Sequence, residues 1–158
     1  MKIILGIDPG IGNTGWAIVQ RHATGYTLID SGYQTTSTKA SFGERLNTQF
    51  ITIHDRLMAY EPNALAIEAC FFNRNTSSHN STISVIAVAE LAAHRLDIPT
   101  LQIKPPDVKI AVGCGVKASK EMIKTRVNQI LKCEIRNHHE ADAAAVALAA
   151  LLKGDISC

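Results

Sequence analysis

Residues 3–7, Ile-Ile-Leu-Gly-Ile, are almost uninterrupted in apolar character. A strand with that pattern is buried on both faces, so both of its sides must be covered. The remaining periodicities supply the cover. Residues 15–19 and 26–33 read as two more strands, separated from the first by breaker-rich turns, and the close spacing suggests an antiparallel meander. Phe42, Leu46, Phe50, Ile53 and Leu57 recur at helical spacing, which predicts an amphipathic helix over 41–60 with Ser41 as its N-cap. Glu61-Pro62-Asn63 stops that helix, and 64–68 forms a fourth strand.

Residues 71–80 read as a polar loop carrying Phe71 and Phe72. Residues 81–96 form a helix apolar on most sides, which suits burial or a subunit interface. A fifth strand covers 100–103, and Pro105 opens a short helix through 112. Gly113-Cys114-Gly115 breaks it. Helices over 119–131, capped by Ser119, and 138–152 follow. The expected fold is α/β, a five-stranded mixed sheet flanked by helices. At 158 residues the chain is one domain, 1–158, long enough to bury roughly 70% of its unfolded surface.

Four residues carry the chemistry. Asp8 ends the first strand and opens the turn Pro9-Gly10-Ile11-Gly12-Asn13. Glu68 ends the fourth strand. His139 and Asp142 stand three apart in an alanine-rich helix and so share one of its faces. Taken singly each has a plain structural reading: an Asp bonded to its own turn, a solvated Glu, a surface His–Asp pair. Together they are more specific, because small residues let the last helix lie flat over strand ends that hold two carboxylates. Carboxylates near a core need a counter-charge. Oxygen ligands with one imidazole suit Mg²⁺ or Mn²⁺, and two such ions can cleave a phosphodiester. His139 either ligates the second ion or handles a proton.

These residues resemble those of RuvC-type Holliday junction resolvases, in the ribonuclease H-like nuclease superfamily. The resemblance rests on Ile4-Leu5-Gly6-Ile7-Asp8-Pro9-Gly10 with Thr14-Gly15, and on Ala66-Ile67-Glu68 with Phe71 and Asn75. Val108-Lys109, Lys120 and the closing His139-x-x-Asp142-Ala143 complete it. It implies a ribonuclease H-like fold and a homodimer that nicks a four-way DNA junction in recombination and repair. Each subunit would use Mg²⁺, replaceable by Mn²⁺, at Asp8, Glu68, His139 and Asp142. It further implies that Phe71 stacks on bases near the crossover, with Phe72 able to share that role. Lys109 and Lys120 would face phosphates, and Arg74 and Lys117 would extend that surface. A branch-migration motor is a possible partner, and the cytoplasm of a bacterium the expected location, with organellar or viral origins open.

Composition bounds these readings. A net charge of +2 permits a nucleic-acid binder without announcing one. Cys70, Cys114, Cys133 and Cys158 have no metal-knuckle spacing, which suggests reduced thiols. No signal peptide or membrane span is expected. The rival functions are a nuclease for flaps, hybrids or single strands, and a junction-binding module that does not cut. The Asp8 turn also resembles the phosphate loop of actin-like kinases, but those need two such domains.

Overall fold

The computed structural model describes residues 1–70 and 76–154. Strands β1 (Lys2–Asp8), β2 (Asn13–His22) and β3 (Gly25–Thr35) precede helix α1 (Phe42–Tyr60) and strand β4 (Ala64–Glu68). Helix α2 (Thr76–His94), strand β5 (Thr100–Ile103), and helices α3 (Pro105–Ala111), α4 (Lys120–Leu131) and α5 (His138–Lys153) complete the order. The strands form one sheet in the order β3-β2-β1-β4-β5. β1, β2 and β3 pair antiparallel, whereas β4 lies parallel to both β1 and β5. This is the mixed five-stranded sheet that the apolar runs predict.

Period-two alternation divides the central strands between two cores. Leu5, Ile7, Trp16, Ile18, Leu65 and Ile67 pack with Ile53 and Leu57 of α1 and with Ile86 and Ala89 of α2. Ile4, Ala17, Val19, Ala64 and Ala66 face α5, with α3 and α4 completing that layer. β1 is therefore covered on both sides, as its composition requires.

The α5 side is lined by small residues. Gly6 lies under α5 so closely that a β-carbon there would overlap the Ala143 carbonyl oxygen and press on Ala147. One at Gly15 would overlap the His139 carbonyl. Alanines on the helix meet glycine and alanine on the sheet, and the two backbones nearly touch.

Helix ends follow the local chemistry. The Ser41 hydroxyl accepts from the Glu44 amide, and the Glu44 carboxylate accepts from the Ser41 amide, a reciprocal capping box. Ser119 caps α4 as expected. One element differs from expectation: α2 begins at Thr76, so 76–80 is helix and not loop. Ser, Thr and Asn read as loop formers because their side chains compete for backbone bonds. Here the Thr82 and Ser84 hydroxyls donate to carbonyls one turn earlier, at Ser78 and Asn80, inside the helix. Phe71, Phe72 and Arg74 lie outside the described residues, as does Cys158. Cys114 and Cys133 are free thiols. No described helix is long and apolar enough to cross a membrane.

The close approach makes Gly6 intolerant of any side chain. Gly6→Ala should lower the melting temperature by roughly 10 °C, as expected for about 3 kcal/mol of overpacking in a domain this size. Gly43→Ala, where an added carbon meets nothing within 4 Å, is the control and should not lower it.

Candidate active site

The register of the sheet lines up one transverse row. Asp8 pairs with Gly15, and Gly15 pairs with Tyr33 on the next strand. On the other side Ile7 pairs with Ile67, so Asp8 and Glu68 are level at the ends of their parallel strands. The row reads Tyr33, Gly15, Asp8, Glu68, all on the face that α5 covers. Gly15, having no side chain, leaves the gap into which the first turn of α5 settles. That turn is fixed by Asn137, whose side chain accepts from the His139 amide at 2.8 Å.

His139 then reaches down to the row. Its Nδ1 lies 2.9 Å from Asp8 Oδ2, across 131 residues of chain. Asp142, one turn further along, faces Glu68 and Asp8 and forms an ion pair with Lys120 at 3.3 Å. The four acid-side residues that the sequence singles out thus gather at one place. The plain readings do not describe them: the Asp8 carboxylate bonds His139, while its turn is organised by the Thr14 hydroxyl donating to the Gly10 carbonyl.

Electrostatics show what gathering them costs. Burial, then the neighbouring charges of Asp8 and Asp142, push the Glu68 carboxyl up to about 7. Burial and Asp8 also raise Asp142, and the Asp8 hydrogen bond raises His139. Burial works against the Lys120 ammonium, but Asp142, Asp8 and Glu68 outweigh it, and its pKa is raised. The cluster holds three carboxylates, and the ammonium paired within it, that of Lys120, leaves negative charge in excess.

A hard divalent cation fits that deficit in charge and in donor type. As the side chains lie, no three His, Cys, Asp or Glu among the described residues are oriented to hold one ion jointly. Asp8 is turned to His139 and Asp142 to Lys120, so proton-bearing partners take the contacts an ion would take.

The expected DNA-facing residues fare differently from one another. Lys120 is 65% exposed and sits at the carboxylates. Lys109 lies near enough to Glu68 to counter its raised pKa, but its amine donates to the Val116 and Ala118 carbonyls at 2.9 and 3.2 Å. It ties down the loop between α3 and α4, on which Lys117 is exposed. Phe71 and Arg74 cannot be placed, being outside the described residues.

The family model for crossover junction endodeoxyribonuclease RuvC matches residues 4–150. The chain belongs to the RuvC family. A RuvC of Alkaliphilus metalliredigens is 34% identical to it, over 92% of this chain and 90% of that one. A RuvC of Brachyspira hyodysenteriae is 31% identical, over 93% and 92%. The solved structure of T. thermophilus RuvC in complex with Holliday junction substrate superposes with a TM-score of 0.88 at 25% identity, covering 98% of this chain and 96% of that one.

Two contributors to this RuvC-family site escape a reading along the chain. Asn137 is one; its signal is a capping residue two positions before His139. Tyr33 is the other. It stands two strands from Asp8, and only the pairing register brings it into the row.

The raised groups give a pH signature. Glu68, Asp142 and His139 all hold protons more tightly folded than unfolded, so they stabilise the fold at low pH. For Glu68 that contribution is lost as pH rises from the ordinary carboxylate range through about 7. Without divalent ions, thermal melting should therefore decline from about pH 5 to about pH 8. Glu68→Gln, which cannot titrate, should show a shallower decline; an equal slope would remove Glu68 from the coupled cluster.

Proposed function

We propose that this chain is a Mg²⁺-dependent endonuclease that resolves four-way DNA junctions by paired symmetric nicks, one from each subunit of a homodimer. Membership of the family of crossover junction endodeoxyribonucleases carries the reaction class, hydrolysis of a DNA phosphodiester. The observation that supports this chain's own activity is the meeting of Asp8, Glu68, His139 and Asp142 at the ends of β1 and β4. These four would hold the metal, with two ions per site and Mn²⁺ able to substitute. When bound, the ions would supply activation of a water and charge stabilisation at the phosphate.

The chain's own residues divide the remaining work. Asp8 and His139 form a carboxylate–imidazole pair able to hold or pass a proton at Nδ1. Lys120, largely exposed and next to Asp142, offers an ammonium to the phosphate that enters. Water oxygen attacks phosphorus and releases a proton to solvent, the bond to the leaving sugar oxygen breaks, and that oxygen takes up a proton from solvent. Lys109 acts through the loop it ties, and Lys117 on that loop would extend the basic surface. Arg74 would add to this basic surface. Phe71 follows Cys70, just beyond the end of β4, and would stack on bases near the crossover, since every base offers a π-face. Exposed Ile83 and Leu91 on α2 supply an apolar face suited to the second subunit.

The test uses the purified protein, Mg²⁺ and a synthetic four-way junction beside flap and hybrid substrates. Paired nicks on the junction are expected, with flaps and hybrids cut more slowly. Asp8→Asn should cut at least about a hundredfold more slowly, the range for losing one charge-stabilising group at the reacting centre. No cutting by the wild type, or equal cutting by the variant, would refute the proposal. Junction binding should weaken steeply with salt through counterion release.

A further inference from the structure

The catalytic row does not end at Asp8. Tyr33 occupies its β3 end, on the same face of the sheet, with only the bare backbone of Gly15 between them. Two strand spacings separate Asp8 from Tyr33, about 10 Å. That is the reach from a phosphate to the base or sugar of the adjoining nucleotide.

The tyrosine is not being used by the fold. Tyr26 packs against the core and Tyr60 donates to Asp30, but Tyr33 is 48% exposed, with no hydrogen bond from its hydroxyl among the described residues. Its ring lies 6.4 Å from the His139 imidazole, tilted by 36°. It therefore borders the carboxylate site through His139, while Lys120 meets the same site at Asp142. Lys120 offers a cation to phosphate and Tyr33 an apolar plate. A strand of DNA bound at Asp8 would bring nucleotides past this ring.

We propose that Tyr33 is a substrate-contacting residue, its ring stacking on the nucleotide next to the scissile phosphate and so helping to choose which phosphate is cut. This rests on the reading of the site as a DNA nuclease. Stacking needs the ring and not the hydroxyl, which separates this role from a hydrogen-bonding one. It also needs DNA, which separates it from propping His139.

The experiment places a fluorescent aminopurine on either side of the scissile phosphate of a four-way junction. Binding is read without divalent ions, so that no cleavage occurs. Quenching on one side is expected with wild type and with Tyr33→Phe, and its loss with Tyr33→Ala, whose melting temperature should be unchanged. With Mg²⁺ present, Tyr33→Ala should cut about tenfold more slowly and spread its cuts over neighbouring phosphates, while Tyr33→Phe stays near wild type. Quenching that survives in Tyr33→Ala, or that Tyr33→Phe also loses, would overturn the assignment. Because quenching needs binding and not cutting, it reads Tyr33 even if the metal assignment of the acidic residues failed.

Discussion

The near-contact between α5 and the sheet is the constraint on which the site depends. Packing with ordinary aliphatic side chains holds a helix well off the surface beneath it. Here Gly6, Gly15, Ala17 and Ala66 lie below and Ala143 and Ala147 above, so the separation closes until backbone meets side chain. Only at that separation does the short Asp142 side chain, and the His139 ring, join carboxylates that originate on strands. A larger residue at Gly6 would act on the chemistry without touching it, by lifting the helix.

Electrostatic conflict follows from that packing. Glu68 would ionise near its ordinary range in water, but here it is raised to about 7 by burial and by Asp8 and Asp142. The hydrophobic contacts that close the helix on the sheet stabilise an arrangement the charges oppose. Part of the opposition is met internally, by the His139 contact to Asp8 and by Lys120 at Asp142. The remainder makes the cluster receptive to positive charge from outside. Local strain of this kind, carried by a rigid sheet and a buried helix, keeps a site preorganised.

Much of this was legible along the chain. The doubly buried strand, the helical period of 42–57, the Ser41 and Ser119 caps and the shared helix face of His139 and Asp142 each depend on neighbours within a few residues, and each appears in the structure. Residues 76–80 read as loop because Thr, Ser and Asn bias short segments away from helix, while packing along the rest of α2 carries the helix back through them. The resemblance implies Lys109 as a phosphate contact, and sequence does not show that its amine bonds two loop carbonyls, a partner choice set by how the chain turns after α3.

The sequence by itself determined which residues could do chemistry and on what element each would sit, because period and capping are properties of short segments. Tertiary structure alone decided that Asp8, Gly15 and Tyr33 share one line across three strands, since register depends on pairing between segments that no local pattern encodes. It also decided which charges neutralise one another. Proximity across 131 residues, as between Asp8 and His139, exists only once the helix has come down on the sheet.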